Sequence, residues 1–267
     1  MREQRNRAIG IFDSGVGGLT VVRSIRGCLP NEKIIYFGDT ARVPYGNKSP
    51  AAVKRFSREI MDFLRAKGVK MVVVACNTAS SLALPALKRE YPVPVIGVID
   101  PGLREAVRIS RNGRIGVIGT NSTIDSRAYD RGVKKIAPSC RLFSKSCPLF
   151  VPLVENRFLK EPVTYQIAEK YLRDMKKKRI DVMILGCTHY PLLKKVIGDV
   201  LNDITLVDSA AAVAKTVKEI LNKRNMAADR RKRRANVKCF VSDDAGRFKK
   251  TACIFLRERI RVEKVTL

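Results

Sequence analysis

The sequence contains no tryptophan, a single histidine and no C-x-x-C pair, and it is poor in acid, with 25 Asp+Glu against 53 Lys+Arg and a formal net charge of +28. Each shortage excludes something. His189 is the sole imidazole, so any step that needs one must use it, and multi-histidine metal centres are out of reach. The seven cysteines, at 28, 76, 140, 147, 187, 239 and 253, are odd in number and sit in a chain of 267 residues, so they read as reduced thiols and not as a disulfide framework. The longest near-uniform apolar run, Met71 to Cys76, falls far short of the ~20 residues of a membrane-spanning helix. Between the basic start and Asp13 stands only Ala8 to Phe12, too short for a secretory signal, and the expected compartment is the cytoplasm.

What is present is core-forming: 45% of residues are hydrophobic, enough for a folded globular protein. The basic excess is densest in Lys170 to Arg179 and in Lys223 to Arg234. No aromatic interleaving, zinc-finger spacing or RNP-like motif accompanies it, so the runs read as a solvated helix face and a surface loop with non-specific affinity for polyanions. A nucleic-acid contact rests on charge alone.

Short apolar runs ending in polar or turn residues alternate with longer amphipathic stretches, the pattern of a parallel α/β sheet. Runs at Ile9 to Phe12, Lys33 to Phe37 and Met71 to Ala75 predict strands. Helical patterns follow at Leu19 to Gly27 and at Pro50 to Lys67, the latter with Ser49 as N-cap and Pro50 in its first turn. The plan then repeats. Ile9-Gly10-Ile11-Phe12 matches Ile115-Gly116-Val117-Ile118, and Val43-Pro44 matches Val151-Pro152. Val73-Val74-Ala75-Cys76 matches Ile184-Leu185-Gly186-Cys187, and Val98-Ile99-Asp100 matches Leu206-Val207-Asp208. All four pairs keep their order at separations of 106 to 111 residues. The expectation is two similar α/β domains, each with a mainly parallel sheet flanked by helices and with a cleft between them. One comprises 1–100 plus 210–267, the later elements returning to it (a helix at Ala210 to Lys223, a strand at Val237 to Val241, a helix at Gly246 to Glu258), and the other comprises 101–209.

Ligands of open parallel sheets sit beyond the carboxyl ends of the strands. There the two copies place a thiol each, Cys76 in Ala75-Cys76-Asn77-Thr78 and Cys187 in Gly186-Cys187-Thr188-His189. A thiol at a helix start can be driven below its usual pKa and become a proton acceptor. Two thiols facing one carbon from opposite sides suit inversion of a stereocentre, one removing a proton while the other delivers one. Asp13, at the end of the first strand, is placed to assist Cys76, and His189 to assist Cys187. Glu155, at the expected end of a strand through Val151 to Val154, is a weaker proton-handling candidate. The other five cysteines read as small buried hydrophobes.

Two rival patterns are weaker. Gly15-x-Gly17-x-x-Thr20 with Asp39 at the end of the next run partly fits a dinucleotide fingerprint, but the third glycine is missing and Asp13-Ser14 intervene. Cys76, Cys187 and His189 are zinc-type ligands, but their spacing matches no structural zinc site, and a bound metal would immobilise both thiols.

Four segments together resemble the aspartate/glutamate racemase family, and within it the glutamate racemases: Phe12 to Thr20, Gly38 to Gly46, Ala75 to Ser80 and Gly186 to Pro191. The likeness extends through Phe150 to Glu155 and Val262 to Val265. It implies an isomerase that interconverts L- and D-glutamate without cofactor or metal, supplying D-glutamate for bacterial peptidoglycan. Cys187 would deprotonate L-glutamate and Cys76 D-glutamate, with Asp13, Glu155 and His189 as helpers. Asp13, Ser14, Tyr45, Gly46, Asn77, Thr78, Thr188 and His189 carry over as substrate contacts, and Thr120 and Thr123 through a looser pattern in which Arg127 replaces a small residue. The histidine after Cys187-Thr188 favours glutamate over aspartate, since aspartate racemases usually carry an acid there. The resemblance also implies a homodimer, and a contact with DNA gyrase is a second role suggested for some members.

Overall fold

The apolar runs become two wholly parallel sheets in the computed structural model, which describes residues 2–229, 234–256, 258 and 260–267. Ten strands are present among these residues: β1 (Ile9–Asp13), β2 (Ile34–Gly38), β3 (Met71–Val74), β4 (Val95–Gly97), β5 (Arg114–Gly119), β6 (Arg141–Ser146), β7 (Val182–Gly186), β8 (Thr205–Val207), β9 (Val237–Val241) and β10 (Arg261–Lys264). The first sheet has the order β10-β9-β2-β1-β3-β4 and the second β6-β5-β7-β8. Without β9 and β10 the first order becomes that of the second, strand for strand. β1, β3 and β7 are buried along their whole length, as inner strands covered on both faces must be.

Each sheet divides two apolar clusters. On one face of the first sheet, helices Leu19–Cys28, Ser209–Lys223 and Ala245–Leu256 cover Ile9, Ile11, Tyr36 and Val73; helix Pro50–Ala66 covers Phe12, Phe37, Val72 and Val74 on the other. That helix begins where expected. Ser49 Oγ accepts from the Ala52 N–H at 3.2 Å, filling one of the unpaired N–H groups of its first turn. Helix Ser209–Lys223 packs on Leu19–Cys28 and on Ile99–Ile109.

The registers show which landmarks of the repeat are equivalent. Phe12 pairs with Val74 and Ile118 with Leu185, so Cys76 and Cys187, each two residues further on, hold the same place in their sheets. Two other matches are corrected. Val73 pairs with Ile96 and Ile184 with Val207, so Ile96 is the counterpart of Val207. Val98-Ile99-Asp100 instead lies past the strand, where helix Ile99–Ile109 begins; an apolar pair before an acid reads alike in both settings until backbone pairing is known. Val43-Pro44 leads extended into a short 3-10 turn, Tyr45–Asn47, whereas Val151-Pro152 is helical within Phe150–Glu155. Glu155 therefore closes a helix and not a strand. Pro152 fits because the first turn has no intrahelical acceptor for its N–H.

In the run Lys170 to Arg179 the basic side chains are exposed while Leu172 and Met175 turn inward. In the run Lys223 to Arg234, residues 230–233 lie outside the described residues. No described helix is long and apolar enough to cross a membrane.

Candidate active site

The loop after β1 closes on its own carboxylate. Asp13 Oδ2 accepts from the N–H groups of Gly15 and Gly18, both at 3.1 Å, and its Oδ1 accepts at 3.3 Å from Oγ1 of Thr188, which follows β7 in the lobe built on the second sheet, Asp13 itself ending β1 in the lobe built on the first. Gly18 permits this because a Cβ there would lie 2.6 Å from Asp13 Cβ. Tyr36 OH braces the loop by donating to the Gly15 carbonyl at 2.7 Å. Two N–H groups of the glycine loop, those of Gly15 and Gly18, are thus taken up by Asp13 and not open to a pyrophosphate. Asp39 has no ribose role open to it either: it is fully buried and accepts from Arg42 Nε at 2.7 Å, from Ser242 Oγ at 2.8 Å and from Tyr45 OH. Asp39 thereby holds Tyr45 and Gly46 in place.

The strand ends of the two lobes meet directly. Thr78 Oγ1 lies 3.0 Å from Thr120 Oγ1 and 3.1 Å from Thr123 Oγ1, which are themselves 2.9 Å apart, a closed triangle of buried hydroxyls. Ser122 Oγ donates to the Gly46 carbonyl at 2.7 Å, and Tyr129 OH donates to Asn77 Oδ1 at 2.8 Å. At Gly17 a Cβ would stand 2.3 Å from Thr188 Oγ1, so only glycine lets the lobes approach this closely. Ser14, Tyr45, Gly46, Asn77, Thr78, Thr120, Thr123, Thr188 and His189 all collect at this junction with the two thiols. Arg127 does not: its side chain is exposed and pairs with Asp130 at 3.5 Å.

Both sulfurs are shielded, with Cys76 5% and Cys187 7% exposed, but their surroundings differ. Cys76 Sγ donates to Ser14 Oγ at 3.9 Å. Burial first, and the Asp13 carboxylate second, push its thiol up to about 12, against the opposing pull of the Ala79 N–H and the Ser14 hydroxyl. The expected lowering by a helix start does not occur at Cys76. The helix it caps, Asn77–Leu82, is one and a half turns long, and desolvation outweighs its N–H groups. Asp13 acts on Cys76 through its field, its oxygens being engaged by the glycine loop and Thr188.

Cys187 Sγ lies 3.9 Å from His189 Nδ1. On the ring's far side Nε2 stands 3.3 Å from Glu155 Oε1, an ion-pair contact without the alignment of a hydrogen bond. Burial disfavours charge on this imidazole. The Cys187 sulfur, the Glu155 carboxylate and the more distant Asp13 overcome that cost and raise it to about 10. Glu155 is correspondingly lowered, by contact with His189 against its partial burial, with Arg247 adding to the effect. A cavity of about 270 Å³ adjoins this pair, lined by Gly15, Val16, Glu155, Leu192, Arg247 and Phe248 among others. Among the described residues, no three His, Cys, Asp or Glu side chains are grouped to hold a metal ion.

Arg42, Tyr36, Tyr129 and Ser242 are not legible as site residues from motif and spacing, and Asp39 is legible there only as the acid of the partial dinucleotide pattern. Asp39 and Arg42 do lie inside the Gly38 to Gly46 segment, while Tyr129 and Ser242 arrive from sequence positions far from either thiol.

The model of the Asp/Glu/Hydantoin racemase family matches residues 19–217. A glutamate racemase from Geobacter metallireducens is 53% identical over 216 residues, 80% of this chain and 80% of the relative. The crystal structure of glutamate racemase isoform RacE1 from Bacillus anthracis superposes with a TM-score of 0.95 at 39% identity, covering 98% of both chains. That of the Francisella tularensis glutamate racemase in complex with D-glutamate gives 0.92 at 36% identity, again with 98% of both covered. By sequence and by fold, the chain belongs to the Asp/Glu/hydantoin racemase family, among its glutamate racemases.

Proposed function

We propose that the chain interconverts L- and D-glutamate by passing the α-proton between two thiols. The observation that carries this reading is the register equivalence of Cys76 and Cys187, one sulfur on each lobe at a shared, water-poor junction. With L-glutamate bound, the Cys187 thiolate takes the α-proton, its charge complemented by the His189 imidazolium. The electron pair left on Cα is held as a carbanion-like transition state by donors around the α-carboxylate. Cys76, kept as a thiol by burial and by Asp13, delivers its proton to the opposite face. D-glutamate leaves with a thiol on Cys187 and a thiolate on Cys76, the form that accepts D-glutamate in the reverse direction.

Hydroxyl and amide groups of Ser14, Asn77, Thr78, Thr120, Thr123 and Thr188 supply the donors for the two carboxylates. Exclusion of water strengthens every one of these contacts, and the basic surface draws the anion in. The reading divides the chain into 1–100 plus 210–267 and 101–209 around the site. On the resemblance of its motifs, the proposal extends to a cofactor-independent homodimer in the cytoplasm that supplies D-glutamate for peptidoglycan.

Polarimetry on both enantiomers, with no cofactor added, tests the mechanism. Cys76→Ser and Cys187→Ser should each lose about 10³-fold or more in turnover, the scale of a positioned acid or base, while still binding glutamate. Full turnover in either variant, or product recovered from heavy water without deuterium at Cα, would rule it out.

A further inference from the structure

Tyr129 belongs to neither cysteine motif, yet it touches both. It is buried in helix Ala128–Ile136 of the second lobe and reaches across to donate to Asn77 Oδ1 of the first at 2.8 Å. Its hydroxyl also lies against the backbone that precedes Cys187, since a Cβ on Gly186 would stand 3.3 Å from it. A third residue completes the arrangement. Ser209, at the start of helix Ser209–Lys223, buries a hydroxyl that has no aligned partner of its own but stands close enough to bear on the phenol.

We propose that Tyr129 is a positioning residue that sets the direction of the Asn77 amide, so that the amide meets a substrate carboxylate with its NH₂ and not with its oxygen. The inference rests on the glutamate reading of the site above. A primary amide is nearly symmetric in shape, and packing alone does not choose between its two orientations. The hydrogen-bond order does. The phenol's one proton goes to Asn77 Oδ1, and the nearby Ser209 hydroxyl, not aligned on the phenol in this structure, can supply the phenol oxygen with a proton in turn. Burial and the neighbouring Cys187 keep that phenol protonated. Asn77 Nδ2 has no acceptor among the described residues, so both of its protons are left for the ligand beside Cys76. A flipped amide would set a carbonyl oxygen against an anion.

The test is Tyr129→Phe, which keeps the ring and removes only the hydroxyl, combined with Asn77→Ala in a double-mutant cycle. KM for both enantiomers should rise about tenfold and kcat fall by no more than about threefold, as for loss of a hydrogen bond to a charged group. Added to Asn77→Ala, Tyr129→Phe should change KM no further, an outcome that a purely structural role would not produce. Ser209→Ala should shift KM in the same direction by about two- to threefold, and it takes the place of Tyr129→Phe in the cycle if that variant does not fold. Unchanged KM in Tyr129→Phe, or effects that multiply fully with Asn77→Ala, would overturn the proposal. D-glutamate affinity by calorimetry, measured on the same proteins, separates the two readings. An unmodified protein that binds D-glutamate without racemising it sinks the activity while the affinities still test the amide, and one that does not bind it sinks both.

Discussion

Cys76 and Cys187 hold the same place in two copies of one strand plan, and their neighbours make them chemically unlike. Cys76 faces a carboxylate and a hydroxyl, and its thiol is pushed up to about 12. Cys187 faces a buried imidazole whose charged form is favoured up to about 10 and which is backed by Glu155. On the proposed mechanism, duplication accounts for the symmetry that inversion of a stereocentre demands, and divergence of the flanking residues for the unlike surroundings of the two sulfurs. Backbone pairing sets the first; side chains brought in from other elements set the second.

The sharpest way to break this comparison is at His189. His189→Asn should lower racemisation about 10²- to 10³-fold, the contribution of a positioned proton-handling group. Enantiomers have equal energy, so kcat/KM must stay equal in the two directions, and the asymmetry is read from isotope effects. In the variant, α-deuteration should slow L-glutamate more than it does the unmodified enzyme, and D-glutamate less. An equal change for both would mean that His189 serves the two thiols alike.

The imidazolium also leaves a mark on stability. Its pKa in the folded protein, about 10, lies above the ordinary 6.5, so its contribution is complete below pH 6.5 and is lost as pH rises toward 10. Glu155 is lowered from 4.5, so its contribution is present above that pH and is lost on acidification. Denaturant midpoints should therefore form a plateau between about pH 4.5 and 6.5. His189→Asn should flatten the alkaline side. A midpoint in the unmodified protein that rises between pH 7 and 10 would contradict the pairing.

The smallest expected effect concerns the hydroxyl triangle that joins the lobes. Thr78→Val removes two of its three contacts and leaves the Thr120–Thr123 contact intact. It should destabilise the protein by about 2 kcal/mol in urea titration, about 1 for each hydrogen bond lost. A stability change near zero would mean that the triangle does not hold the lobes together.

Much of this was legible in local pattern. Strands and helices announced themselves through apolar periodicity, and Ser49-Pro50 marked the start of its helix, because such signals lie within one or two turns of chain. The alignment of Val98-Ile99-Asp100 and the strand expected at Val151 to Val154 went astray for the same reason: short apolar patterns look alike in a strand end and in a first helical turn. Tyr129 and Ser242 had no local signature, since their partners lie 52 residues away at Asn77 and 203 residues away at Asp39.

The amino-acid sequence by itself determined the duplicated α/β plan, the pair of thiols at matching strand ends and the single imidazole beside one of them, all properties of neighbouring residues and their repetition. Only the tertiary structure decided that Asp13 spends its oxygens on the glycine loop and Thr188, that Asp39 anchors Tyr45, that Glu155 meets His189 from a helix end, and that Cys76 is a reluctant acid. Those outcomes depend on burial and on which distant groups share a hydrogen bond, and neither exists until the chain has folded.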